Sequence, residues 1–165
     1  MRKLKIIAGL LGLCGVALGL VFTAQRTKSQ SEYMAFLHSL QATNITKIEI
    51  YDQKNSEIGS LLTSVSSPTV LDAFARAANT VEPWSPNHPG IAKSFFIELY
   101  LSDGQEREFE FDIMGGSPDH TIYIWFASRF LSGLAYHGNG KSAALFDWLK
   151  TQTPNTALEP TPTAP

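Results

Sequence analysis

Two consecutive segments in which apolar residues recur at every second position constrain the fold of this chain more than any other feature. The first covers Lys93 to Leu101, the second covers Gln105 to Ile113, and Ser102-Asp103-Gly104 lies between them. Side chains of a β-strand point alternately to its two faces, so a period of two indicates a half-buried strand. Two such strands joined by a short glycine-containing connection predict an antiparallel hairpin.

The length of the turn decides which side chains face one another in this hairpin. A two-residue Asp-Gly turn would set Ile97 opposite Glu110, which buries a carboxylate among apolar side chains. A three-residue loop with Gly104 in the left-handed conformation sets Ile97 opposite Phe109 instead. Because this arrangement collects the apolar side chains on one face, the sequence predicts the three-residue loop and its register.

The remaining sequence predicts further strands and helices around the hairpin. Ser67 followed by Pro68 is a favourable start for a helix, since serine caps helices and proline is accepted at the first helical position. Helices are otherwise predicted from apolar residues at i, i+3, i+4 and i+7. The predicted strands are Thr46–Asp52, Leu61–Val65 and Thr121–Ala127, and the predicted helices are Ser31–Leu40, a helix from Pro68 to near Asn79, and Ser142–Lys150.

This order of elements predicts an α+β fold, namely a small antiparallel sheet with helices packed on one face. An N-terminal transmembrane or signal helix precedes it. The length of 165 residues suits a single domain. We expect residues 1–28 to be the membrane anchor or signal segment and residues 29–150 to be one globular domain. Residues 151–165, which are rich in proline and threonine, are predicted to be a disordered tail.

The N-terminal segment has the composition of a membrane-spanning helix. Residues 6–24 contain no charge, and basic residues flank this run on both sides. A helix needs roughly 20 apolar residues to cross the hydrocarbon core. The positive charges before the run predict a cytoplasmic N-terminus with the domain on the outer, periplasmic or extracellular, side. The poor cleavage signals favour an uncleaved single-pass anchor, and secretion after signal cleavage is the alternative.

Charge and cysteine content exclude several classes of function. From residue 29 to 150 the chain has 8 basic and 14 acidic residues, a net charge of −6. An acidic domain argues against nucleic acid as a partner, because phosphates require clustered lysine and arginine. The one cysteine, Cys14, lies in the N-terminal apolar run, so the predicted domain has no disulfide or thiol nucleophile. The four histidines lack ligand spacing, so neither a metal site nor a cofactor is predicted.

The outward face of the predicted sheet is the strongest candidate for a binding site. Aromatic rings beside carboxylates can bind cations, sugars or basic peptides. Together with the N-terminal apolar run, this face predicts that the chain is a membrane-tethered or exported binding or assembly domain of the cell envelope. The expected partner is an envelope protein or glycan. In the competing interpretation the face is solvated and the Ser31–Leu40 helix covers its two large rings. The candidate residues are Glu98, Tyr100, Glu108, Glu110, Tyr123 and Trp125.

Two enzymatic or nucleotide-binding alternatives remain open at the level of sequence. Glu98 and Glu108 would lie opposite one another, and a glycan hydrolase uses a carboxylate pair at a set separation. Residues 135–142, which end in Gly140-Lys141-Ser142, match a relaxed phosphate-loop pattern before a helix. No individual residue is predicted to be catalytic.

Overall fold

The computed structural model describes residues 30–54, 57–84, 90–114, 121–130 and 133–153. Within these residues the chain is a small α+β protein, with one seven-stranded antiparallel sheet and three α-helices. The strand order is β2-β1-β4-β5-β6-β7-β3. The strands are β1 (Ile45–Lys54), β2 (Glu57–Val65), β3 (Glu82–Pro83), β4 (Ile91–Leu101), β5 (Glu106–Met114), β6 (Ile122–Phe130) and β7 (Gly133–Ser142), and the helices are α1 (residues 30–39), α2 (Pro68–Ala78) and α3 (Ala143–Gln152).

The predicted hairpin and its register are confirmed. Strands β4 and β5 pair with Ile97 opposite Phe109 and Phe95 opposite Phe111. Ser102, Asp103 and Gly104 form a three-residue loop between the hydrogen-bonded residues Leu101 and Gln105, and Gly104 has a φ of 82°. A left-handed φ carries no steric cost for glycine. The Leu101 amide donates to the Gln105 carbonyl at 2.9 Å and closes the loop.

All three helices pack against one face of the sheet and enclose the apolar core. Tyr33 of α1 stacks on Phe126 of β6, with ring centroids 4.9 Å apart. Phe74 of α2 meets Trp148 of α3 edge-on at 4.8 Å. The core therefore contains the inward side chains of the central strands together with the apolar stripes of the helices. Helix α1 lies on the face opposite Tyr123 and Trp125, so the interpretation that this helix covers them is wrong.

The helix boundaries follow from local sequence. Helix α2 begins at Pro68 as predicted, although the Ser67 side chain makes no capping hydrogen bond. Helix α3 has Ser142 as its N-cap, and the Ser142 hydroxyl accepts a hydrogen bond from the Leu145 amide at 3.1 Å. This bond satisfies one of the amides that a helix start leaves without a backbone partner.

Strand β7 replaces the loop on which the nucleotide-binding alternative depended. Gly140 pairs with Ile124 of β6 and with Pro83 of β3, and Lys141 pairs with Tyr123 and Glu82. A phosphate loop needs successive amides that converge on one anion. These residues are extended and paired with strands on both sides, so they do not have the loop conformation on which that alternative depended.

Several predictions fall partly or wholly on residues that the structure does not describe. The predicted membrane span at residues 6–24, the segment 1–28 that contains it, and residues 154–165 of the predicted tail lie outside the described residues. Among the described residues, no helix combines the length and the apolar character needed to cross a bilayer.

Candidate functional site: an acidic and aromatic face of the sheet

The face of the sheet opposite the helices carries all six predicted site residues. Glu98 lies directly opposite Glu108 across strands β4 and β5, and Glu110 lies opposite Trp125 across β5 and β6. We call this surface the acidic face. Its defining residues are Lys47, Glu49, Tyr51, Gln53, Ser94, Phe96, Glu98, Tyr100, Glu106, Glu108, Glu110, Asp112, Tyr123 and Trp125.

Strand β1 supplies part of the acidic face that sequence reasoning missed. Glu49 pairs with Glu98, and Tyr51 pairs with Phe96. The alternating pattern had placed Glu49 and Tyr51 on the polar side of their strand, but it did not indicate that β1 pairs with β4. The pairing creates a row of three glutamates, Glu49, Glu98 and Glu108, on three adjacent strands. Directly opposed like charges weaken a sheet unless other groups compensate them.

Two tyrosines join the carboxylates of Glu49 and Glu98. The Tyr51 hydroxyl lies 2.8 Å from Glu49 Oε2 and 3.1 Å from Glu98 Oε2. The Tyr100 hydroxyl lies 2.9 Å from each of the same two oxygens. Each hydroxyl has one proton, so two protons serve four short contacts between oxygen atoms. The two tyrosine hydroxyls thus lie between the carboxyl groups of Glu49 and Glu98, and each can donate one hydrogen bond to one of them at a time.

Lys47 completes this cluster from the end of β1. Its ammonium Nζ lies 2.9 Å from Glu49 Oε1 and 3.8 Å from the centroid of the Tyr100 ring. The hydrogen bond from Lys47, followed by that from Tyr51, lowers the pKa of the Glu49 carboxyl. Burial, and then the hydrogen bonds to Glu49 and Glu98, raise the pKa of both tyrosine hydroxyls. These shifts favour the ionised form of the Glu49 carboxyl and the neutral form of the two phenols.

A second cluster surrounds Asp112, which sequence reasoning did not select. Its Oδ1 accepts from the Ser94 hydroxyl at 2.6 Å, and its Oδ2 accepts from the Trp125 indole Nε1 at 2.5 Å. Burial, the largest cause, and the nearby Glu110 carboxyl together raise the pKa of Asp112 to about 7, against the lowering effect of the hydrogen bonds from Ser94 and Trp125. No local pattern distinguishes Asp112 from the other acids of β5, because its burial depends on neighbouring strands.

The acidic face is much less open to solvent than a solvated sheet surface. Asp112 is 1% exposed, Glu98 and Glu110 are each 6% exposed, and Phe96 is fully buried. Tyr100, Glu108, Tyr123 and Trp125 are partly exposed. Of the six predicted residues, these four therefore form the accessible part, and Glu98 and Glu110 lie beneath it.

The chemistry available on this face is that of hydrogen-bond acceptors and aromatic rings. Of its fourteen defining residues, six have carboxyl groups and only Lys47 is cationic, while Lys141 of the neighbouring strand β7 lies opposite Tyr123. Carboxylates flanked by rings attract ammonium and guanidinium groups. Among the described residues, no three histidine, cysteine, aspartate or glutamate side chains are arranged to hold a metal ion.

Comparisons with known proteins add no relative. No protein-family model matches the chain, and neither the curated proteins nor the solved structures contain a significant match.

Proposed function

We propose that this chain is a membrane-tethered or exported, non-enzymatic binding or assembly domain of the cell envelope. Its acidic face would bind a cationic segment of an envelope protein, with an envelope glycan as the alternative partner. The uncharged run at residues 6–24 supports the location, because its length suits a single membrane span. The basic residues before this run support an orientation with the domain outside the cytoplasm.

The single observation that carries the binding proposal is the row of Glu49, Glu98 and Glu108 with aromatic rings beside it. Lys47 provides an internal example of the expected recognition. Its ammonium group contacts one carboxylate at 2.9 Å and lies 3.8 Å from the centroid of one ring. A lysine of a partner that reaches Glu108 and Trp125 would meet the same two kinds of group.

A peptide of eight lysines is a suitable probe of this function. The full-length chain in detergent micelles is titrated with octalysine, and octaglutamate serves as the ligand of opposite charge. We expect octalysine to bind and octaglutamate not to bind, with an affinity that falls as salt is added. Trp125→Ala should weaken binding by about tenfold, as for an aromatic anchor, and Glu108→Gln by about threefold.

The matched control is Glu57→Gln, which removes an exposed carboxylate from strand β2 and leaves the acidic face intact. Circular dichroism of every variant shows whether the fold is kept. Equal affinities for the Glu57 and Glu108 variants, or equal binding of the two peptides, would contradict the proposed site.

The location is tested by separating membranes from soluble fractions of cells that produce the full-length chain. We expect the chain in the membrane fraction, and we expect added protease to digest the domain when the outer side of the membrane is accessible. Recovery of the full-length chain in the cytoplasmic soluble fraction would contradict the location.

A glycan hydrolase is a second candidate, favoured by the direct pairing of Glu98 with Glu108. Catalysis would require one of the two to be a carboxylic acid that reaches a glycosidic oxygen. Glu98 is 6% exposed and lies within hydrogen-bonding distance of two tyrosine hydroxyls, which makes it a poor proton donor to a bound glycan. Cell-wall glycan that is cleaved by the wild-type chain but not by Glu98→Gln would favour this candidate over binding alone.

A further inference from the structure

The acidic face continues beyond β6 into a part of the sheet with a different chemistry. Lys141 of β7 lies opposite Tyr123 of β6, and Glu82 of β3 lies opposite Lys141. Side chains directly opposite one another on antiparallel strands share one face and are about 5 Å apart. Trp84, two residues after Glu82, is on the same face, because its ring lies against that of Tyr123. We call Trp84, Tyr123, Lys141 and Glu82 the aromatic patch.

Two rings form the apolar part of the aromatic patch. The ring centroids of Trp84 and Tyr123 are 3.9 Å apart, and the ring planes are inclined by 39°. Both residues are partly exposed, so the pair presents a joined apolar surface to solvent. A sugar ring has C–H groups on its faces and hydroxyl groups at its edge. Its face can therefore pack on aromatic rings while its hydroxyl groups bond to polar groups beside them.

An exposed ion pair forms the polar part of the patch. Lys141 Nζ lies 3.9 Å from Glu82 Oε2, and the two side chains are 42% and 72% exposed. Such a pair contributes little stability, so either group can bond to a ligand at small cost. The ammonium group only donates hydrogen bonds, and the carboxylate only accepts them. Sugar hydroxyls both donate and accept, so one saccharide can use both groups.

The charge of the aromatic patch distinguishes its ligand from that of the glutamate row. The row of Glu49, Glu98 and Glu108 attracts cations, whereas the four side chains of the patch have no formal net charge. Lys141 repels an incoming ammonium group, and Glu82 repels an incoming carboxylate. A neutral ligand avoids both penalties.

The surface beside the ion pair has room for a ligand. Lys141 and Glu82 also line an open hollow of about 390 Å³ at the end of β7, together with the hydroxyl-bearing side chains of Thr80, Thr121 and Ser142. Small-molecule sites commonly have volumes of about 300–1,000 Å³. Because Lys141 borders both the hollow and the ring pair, a chain of sugar units can contact both.

We propose that the aromatic patch is a binding site for a neutral saccharide chain. The rings of Trp84 and Tyr123 pack on one sugar ring, and Lys141 and Glu82 bond to its hydroxyl groups. The site rests on these contacts and needs no cation at the glutamate row. Only the origin of the saccharide, an envelope glycan, rests on the proposed function.

The site is tested with the hexamer of N-acetylglucosamine, a neutral saccharide, and the full-length chain in micelles of a detergent without a sugar head group. Binding is followed through the indole N–H signals in ¹⁵N nuclear magnetic resonance. Trp84→Phe identifies the Trp84 signal, which we expect to shift until the site is filled. Trp148 of α3 is 5% exposed on the helix-covered face, so its signal should stay constant. A Trp84 signal that does not shift at about 10 mM hexamer overturns the proposal, because a site with a Kd near 1 mM would then be filled.

Two variants with matched controls locate the site by calorimetry. Trp84→Ala should weaken hexamer binding about tenfold, as for an aromatic anchor. Leu61→Ala removes an exposed apolar side chain at the opposite edge of the sheet and should not weaken it. Lys141→Met should weaken binding about threefold, as for one hydrogen bond, whereas Lys150→Met on α3 should not. Equal affinities within either pair overturn the assignment, and the lysine pair decides if Trp84→Ala does not fold.

Salt and two further ligands separate this inference from the proposed function. Hexamer binding should be the same at low and high salt, whereas octalysine binding should weaken. Octalysine binding without hexamer binding overturns the saccharide site alone. Hexamer binding without octalysine binding overturns the proposed binding of a cationic segment alone. Proline-rich peptides also dock on exposed aromatic rings, so binding of octaproline in place of the hexamer overturns the saccharide assignment.

Discussion

The two faces of the sheet are built from the same strands but are stabilised in different ways. On the helix-covered face, Ile97 lies opposite Phe109, and the three helices enclose these side chains in an apolar core. On the acidic face, one residue later on β4 and one residue earlier on β5, Glu98 lies opposite Glu108. Phe96 and Asp112 on the acidic face are nevertheless as buried as the core residues.

This contrast shows that burial by itself does not indicate a stabilising core. Apolar burial on the helix-covered face contributes about 25 cal/mol for each Å² removed from water. A buried carboxyl costs free energy unless hydrogen bonds replace the water that it loses. Asp112 and Glu98 have such bonds from Ser94, Trp125, Tyr51 and Tyr100. A face of this kind is expected where the arrangement serves binding more than stability.

The largest effect is expected from truncating a ring on the helix-covered face. Phe109→Ala should lower the free energy of unfolding by about 4 kcal/mol, because Phe109 is fully buried and contacts the rings of Tyr33, Phe36, Phe111 and Phe126. Denaturant unfolding measures this change. The same truncation on the acidic face, Phe96→Ala, should cost about 3 kcal/mol. A cost below about 1 kcal/mol for Phe96→Ala would mean that the acidic face is not packed like a core.

The second effect is a dependence of stability on pH that comes from Asp112 on the acidic face. The pKa of Asp112 is raised to about 7 in the folded chain and is near 3.9 when unfolded. The folded state therefore binds more protons between these values, and this contribution to stability is lost as pH rises from about 4 to about 7. We expect a fall of about 2 kcal/mol or more, since one pKa unit corresponds to about 1.4 kcal/mol.

Asp112→Asn should remove this fall, and unfolding at pH 5, 6, 7 and 8 compares the two chains. The Glu49 carboxyl changes the free energy of unfolding with pH in the opposite direction and at lower pH. Its lowered pKa contributes stability above its unfolded value that is lost in acid. A change in the free energy of unfolding between pH 5 and 7 that is the same in both chains would contradict the assignment to Asp112.

A smaller effect is expected from the tyrosines of the glutamate row. Tyr51→Phe and Tyr100→Phe should each lower the free energy of unfolding by about 1.5 kcal/mol, because each removes a hydroxyl that donates to a carboxylate. The two hydroxyls share the same pair of acceptor oxygens, on Glu49 and Glu98. The double variant should therefore differ from the sum of the single variants by at least about 0.5 kcal/mol. Strict additivity would show that the four contacts are independent.

The smallest effect is expected from Lys47→Met, which removes the ammonium group but keeps an unbranched apolar side chain. The ion pair with Glu49 and the contact with Tyr100 are partly open to water, so we expect a loss of about 0.5 kcal/mol. High salt should reduce the difference between the two chains. A loss above about 2 kcal/mol would mean that Lys47 holds the glutamate row together.

The sequence by itself determined the hairpin, its three-residue loop and the apolar stripes of the helices. These features depend on residues a few positions apart, such as the alternation through Ile97 and Leu99 and the glycine at 104. Local sterics and the two-residue period of a strand decide them, so no distant contact is needed. For the same reason the six predicted site residues could be placed on one face before the structure was known.

Only the tertiary structure decided that β1 lies beside β4 and that a glycine-rich segment forms β7. Tyr51 and Glu98 are 47 positions apart, and their contact exists because the core orders the strands as it does. The burial of Asp112, and with it the raised pKa, likewise depends on the side chains of neighbouring strands. Pairing between distant strands and loss of water are properties of the assembled sheet, since each strand alone leaves these groups in solvent.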